Sequence, residues 1–191
     1  MSNEISIAQD SVTASLITNR TASEGVGAGG VYTATCVGPD GQVKWTETFH
    51  NLVVNEGLVN MNTSYFKGTG YTAAFYLGLV SGATSPTYAA ANTLASHAGW
   101  TELVPGTAYS GNRPAVTFGT ASSANPSVIV SSAVSYSMLV NSTVVAGAFL
   151  CTVASGTSGT LFSAGSFTGG NKSVDSGDTL NVTYSFSLTG S

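Results

Sequence analysis

Charge is the scarcest commodity in this sequence. Five Lys/Arg and nine Asp/Glu among 191 residues make 7%, against roughly 25% in an ordinary soluble domain. The net charge is −4, and Arg20, Lys44, Lys67, Arg113 and Lys172 are scattered along the chain. Phosphate binding needs clustered Lys/Arg, so a nucleic-acid partner is excluded. Histidine is almost missing: His50 and His97 stand alone, outside any H-E-x-x-H zinc spacing. No G-x-S-x-G elbow is present to raise a serine nucleophile. The two cysteines, Cys36 and Cys151, lie far apart in apolar runs. They give no zinc signature and read as buried free thiols, with a single disulfide as the rival. Long hydrophobic runs are absent as well. The most apolar stretch, residues 143–154, is far shorter than the roughly 20 residues of a membrane-spanning helix, and no membrane association is expected.

What the chain has instead is hydroxyl. Ser and Thr make up about a quarter of it, beside 23 glycines. A polar surface built from hydroxyls and backbone can be covered by a neighbour without stripping ions of water, a step that costs several kcal/mol per ion. The composition therefore points to an assembly component and away from an enzyme. At this length one domain is expected, large enough to bury a core without a metal or disulfide staple. Met1-Ser2-Asn3-Glu4 is polar and no 7–15-residue apolar core follows it, so folding in a reducing cytoplasm is expected.

Residues 1–30 differ from the rest. They hold four of the fourteen charges, no aromatic residue, and a closing glycine run. Two readings compete: a loose terminus, or an arm that orders against a neighbouring subunit, with the 25–30 run as its hinge. The Gly25-x-Gly27-x-x-Gly30 spacing matches a dinucleotide fingerprint only formally, because the β-branched VYTATCV that follows is not a helix. From Val31 the pattern is β. VYTATCV, the turn Gly38-Pro39-Asp40-Gly41 and QVKWTETF spell a hairpin with Val43, Trp45 and Phe49 on one face. Within 51–66, Val54, Leu58, Met61 and Tyr65 fall on one helical face, with Asn55 as cap and Glu56 on the helix dipole. Residues 88–100 suggest a second short helix. Arg113-Pro114 suits an edge strand or loop. Further strands are expected at 71–80, 128–131, 134–140, 143–154 and, more weakly, 161–167. The clearest is 180–188, where Leu180, Val182, Tyr184, Phe186 and Leu188 alternate with polar residues. The fold expected is mainly β: an antiparallel β-sandwich or jelly-roll-like domain over 31–191, with one or two short helices and an extended N-terminal arm over 1–30.

No residue stands out as catalytic, cofactor-binding or metal-ligating. His50 and His97 read as hydrogen-bonded strand- or loop-end histidines, since a triad needs a Ser or Cys beside a carboxylate-oriented His. Asp175-Ser176-Gly177-Asp178 reads as a turn; a calcium site would need six to eight ligands. Trp45 alternates into the core, and Trp100 is either core or an exposed anchor for an interface or a sugar.

Six blocks, KWTETFHNLVVNEGL (44–58), AAFYLGLV (73–80), YAAANTLASHAGWTE (88–102), YSGNRPAVTFG (109–119), GAFL (147–150) and VDSGDTLNVTYSFSL (174–188), occur in one order. In this the chain resembles a family of small tailed-bacteriophage virion proteins, over about residues 30–190. The resemblance implies a non-enzymatic structural role in the virion, assembled in the bacterial cytoplasm, with no catalytic residues and no cofactor. A decoration or cement protein bridging neighbouring major coat subunits is expected first, as a homo-oligomer such as a trimer. A tail, neck or fibre accessory protein is the alternative, and a carbohydrate-binding host-surface module the second.

Overall fold

The sequence holds two kinds of strand, alternating and continuously apolar, and the computed structural model sorts them into two antiparallel sheets. It describes residues 25–66 and 74–190. These form β1 (Val26–Val37), β2 (Val43–His50), β3 (Leu52–Val53), α1 (Asn55–Phe66), β4 (Phe75–Ser81), β5 (Ala115–Val116), β6 (Ser127–Val130), β7 (Val134–Ser137), β8 (Thr143–Cys151), β9 (Leu161–Ser166), β10 (Lys172–Val174) and β11 (Thr179–Gly190). The molecule is mainly β, and the two sheets stack as a sandwich around one shared core.

The first sheet runs β2-β1-β11, and the far side of β11 pairs with β7 along its first half and β6 along its second. β1, β2, β7 and β11 alternate, because only one face is covered, while the short β6 is partly exposed throughout. Tyr32, Ala34, Cys36, Phe49, Tyr136, Leu180, Val182 and Tyr184 point inward and are buried. The alternation of 180–188 thus places β11 at the centre of the sheet, with Tyr184 opposite Tyr32.

The second sheet runs β3-β9-β8-β4-β5, with β10 on the start of β8. Both of its faces are covered. Leu77, Leu79, Val145, Leu150 and Phe162 face the first sheet, while Ala146, Phe149, Cys151, Leu161 and Ala164 face Val54, Leu94 and Trp100 outside. Strands buried on both sides read as continuous apolar runs, which is why 143–154 and 161–167 show no period of two. The latter, expected to be a weak strand, is buried along nearly its whole length.

Three expectations need correction. Residues 88–100 are not helical. Successive turns close from Asn92 N–H to Ala89 O, Ser96 N–H to Thr93 O and Trp100 N–H to His97 O, and the Asn92 and Thr93 side chains take the Ala89 and Ser96 N–H groups. Short polar side chains that bond nearby backbone compete with a helix in this way. The helix at 55–66 is present, but its buried side is not the one expected. Val54, not Asn55, accepts the first helical bond, from Leu58 N–H. Gly57 is buried, and a Cβ there would collide with the Phe162 carbonyl. The bare glycine lets α1 approach β9 along Val54, Gly57 and Met61, which turns Leu58 and Tyr65 to the solvent. Finally, the sheet begins at Val26, not Val31. Residues 26–30 pair with 190–186, so the glycine run is strand and not a hinge, and Gly30 is bare because the Tyr184 ring fills its side-chain space. The remainder of the arm expected over residues 1–30, namely residues 1–24, lies outside the described residues.

Candidate functional site

The chemically capable residues do not converge. His50 is exposed at the end of β2, on the outer side of the first sheet. His97 lies across the sandwich, stacked on Trp100 at 3.9 Å between ring centroids, with Nδ1 3.0 Å from the Trp100 carbonyl. Both cysteines are free and buried. Burial, then the nearby Asp178 carboxylate, pushes the Cys36 thiol up to about 11, and burial raises Cys151. A thiol that stays protonated near neutral pH is a poor nucleophile. Trp45 packs edge-on against Phe167. Trp100 is 2% exposed, with Nε1 donating to Asn92 Oδ1, so its ring is not open to stack on a sugar. Among the described residues, no three His, Cys, Asp or Glu side chains gather as a metal site. No helix among them is long and apolar enough to cross a membrane.

Among the described residues, the charged side chains share one property: each is engaged by the protein itself. Lys44 Nζ lies 2.7 Å from Asp178 and 3.3 Å from Asp175. Lys172 pairs with Glu47 at 2.6 Å, and Arg113 with Glu102. Glu56 does not serve its own helix end. Its carboxylate accepts the N–H groups of Leu94 and Leu161, tying the outer loop to β9. Asp40 accepts the Gln42 N–H within the hairpin turn. Every Lys, Arg, Asp and Glu among the described residues is thereby accounted for. The 175–178 turn is confirmed: Asp178 N–H bonds the Asp175 carbonyl and Gly177 takes φ 89°. Its partner Lys44, more than a hundred residues away in sequence, carried no signal in the chain.

These pairings make stability depend on pH. Burial raises the Asp178 pKa, but the Lys44 ammonium and the Asp175 N–H outweigh it and hold the carboxyl below its usual range. The Ser142 N–H and then Lys44 lower Asp175, and Lys172 lowers Glu47. A carboxyl depressed in the fold stabilises it above the unfolded pKa, and that stability is lost as pH falls through the folded value. The melting temperature is expected to be flat at neutral pH and to drop below about pH 4, where unfolded carboxylates begin to protonate. Thermal melts across pH 2–7 check this, and Lys44→Met should flatten the acid limb.

With the ions engaged, two ranks made mainly of hydroxyl side chains cross the outer face of the first sheet. Thr48, Thr33 and Thr183 stand abreast across β2, β1 and β11, and Thr46, Thr35, Asn181 and Ser135 form the next rank. Neighbours in the ranks bond one another: Thr33 to Thr48 at 3.2 Å, Thr35 to Thr46 at 3.1 Å, Ser135 to Asn181 at 2.6 Å. The ranks are therefore held in order by their own hydrogen bonds. The edge strand β2 is guarded against indiscriminate sheet extension by Glu47, a charge lying against the rim of the core. At one end of the sandwich an apolar groove of about 880 Å³ opens between α1 and the two sheets. The alternating hydroxyls were legible in the sequence, but their alignment across strands, and the groove, depend on register and stacking. Comparison of the chain with family models, curated proteins and solved structures finds no match.

Proposed function

We propose that this protein is a non-enzymatic structural subunit of a bacteriophage virion, a decoration or cement protein that lays the threonine face of its first sheet on neighbouring coat subunits. The observation that carries the reading is that every described charge is engaged within the protein, by an ion pair or a backbone hydrogen bond, beside ranks of hydroxyls that bond one another across the outer face of the first sheet. Covering hydroxyls that find new partners costs far less than desolvating ions. The order of the six sequence blocks supports the same reading. Its mechanism is passive: a stiff sandwich bridges a seam between subunits, and the energy comes from area covered.

The test is reconstitution. Purified protein mixed with particles stripped of it should co-sediment, at a copy number on the order of hundreds per particle, as symmetric coverage of a head requires. About a dozen copies or fewer would move the protein to the tail or neck. Thr33→Lys with Thr48→Lys should abolish attachment and leave the melting temperature within a few degrees. Attachment unchanged by both lysines would overturn the docking face.

A further inference from the structure

The groove at the end of the sandwich is lined by Met61, Phe75, Phe118, Phe162, Phe186 and Leu188 among others, and no charged side chain lines it among the described residues. It is continuous with the core, because Phe75, Phe118, Phe186 and Met61 pack directly against the buried cluster. Around its rim stand Val26, Tyr65 and Phe66, respectively 77%, 82% and 78% exposed. So large an exposed apolar patch marks a site that something covers.

Where the chain enters the sandwich identifies the occupant. Val26, the first strand residue, is itself part of the groove wall, so everything N-terminal to it is tethered at the mouth. A groove walled by apolar side chains favours an uncharged segment, since burying an unpaired ion is costly. Within residues 1–24 the charges fall at Glu4, Asp10, Arg20 and Glu24, and the longest stretch between them is 11–19. That stretch holds Val12, Leu16 and Ile17, with hydroxyls and small residues between. The link from residue 18 to Val26 reaches at most about 3.3–3.6 Å per residue, enough to fold back over the mouth. Tethering also settles the competition with other molecules. A short flexible link gives an effective concentration in the millimolar range, far above a second copy at micromolar concentration.

We propose that the groove is the seat of the chain's own residues 11–18, held by Val12, Leu16 and Ile17. The segment acts as a plug that shields the open end of the core in the free protein. This inference stands apart from the proposed docking face, which lies on a different surface and is tested with particles.

Two measurements on the full chain test it, both at low micromolar concentration. A benzophenone photo-crosslinker in place of Leu16 is expected to attach to peptides containing Met61, Phe118 or Phe186 within a monomeric product. Leu16→Asp with Ile17→Asp is expected to raise the fluorescence of an added apolar dye severalfold with little change in circular dichroism, and Phe118→Ser in that background should reduce the gain. Crosslinks to the groove found only in a dimer would overturn the proposal in favour of a second copy. Crosslinks elsewhere, or dye binding equal in the wild type and the double aspartate variant, would overturn it outright.

Discussion

Tyr184→Ala is expected to cost about 3–5 kcal/mol, the range for removing a fully buried aromatic ring. Tyr184 is completely buried at the midpoint of β11, the strand on which the first sheet is built. Its ring lies tilted against that of Tyr32, 4.6 Å between centroids, and fills the space left by Gly30. Its backbone is equally committed: the N–H donates to Ser131 Oγ and the carbonyl accepts the Ser131 N–H. The hydroxyl accepts from Asn51 Nδ2 at 2.9 Å and from Ser163 Oγ at 3.5 Å, and Ser163 also meets the Tyr32 hydroxyl at 2.8 Å. Burial, against the lowering effect of these bonds, pushes the phenol up to about 12. Tyr184→Phe keeps the ring and strands the Asn51 amide, so it should cost only about 1–2 kcal/mol. Phe186→Ala should cost less than Tyr184→Ala, because Phe186 is half-exposed at the groove. Urea melts of the three variants read this order. A Tyr184→Ala loss under about 1 kcal/mol would mean that β11 is not central to the core.

How much of this was legible in the sequence depends on how many faces of a strand are covered. The first sheet has one buried face, so period-two alternation carries most of its strands, their inward residues and the outward hydroxyls, but not the register that aligns those hydroxyls in ranks. The second sheet has two, and β8 and β9 lose the period with which a strand announces itself; only apolar content remains. The loop that covers the outer face has an alanine-rich, helix-like composition, and only the Asn92 and Thr93 side chains turn it aside. In α1 the spacing of Val54, Leu58, Met61 and Tyr65 is helical, but it cannot show that Gly57 sets the approach. A glycine read as a weakness of the helix is the reason it packs so close to Phe162. The ion pairs are a different matter. Lys44 with Asp178, and Lys172 with Glu47, join distant segments, and nothing local distinguishes a paired lysine from a solvated one. The Arg113-Pro114 edge reading was correct, since β5 ends its sheet, yet the sequence does not show that the arginine is buried.

That arginine carries the second large effect. Arg113→Met is expected to destabilise the protein by about 3 kcal/mol, the lower end of the range for breaking a buried ion pair. The guanidinium is 3% exposed and grips Glu102 with both arms of its fork, at 2.8 and 2.6 Å. Its remaining nitrogen donates to the carbonyls of Val153 at 3.1 Å and Gly156 at 3.0 Å, and its carbon sits 5.3 Å over the Phe149 ring. Three segments meet on this one side chain: the residue-102 bridge to β4, the 110–114 loop and the turn after β8. Methionine can fill the stem's volume, but it leaves a carboxylate and two carbonyls without their donor. Glu102 keeps 18% of its side-chain surface in water, which relieves part of that cost and places the estimate at the low end. Arg113→Lys should recover little, because a point charge cannot serve a bidentate carboxylate and two carbonyls at once. Adding Glu102→Leu to Arg113→Met should restore part of the loss, since no buried charge is then left unpaired. A double-mutant cycle read by urea denaturation isolates the coupling. If the double variant loses the full sum of the single losses, Arg113 stabilises through its stem and the two carbonyls, and the ion pair contributes nothing.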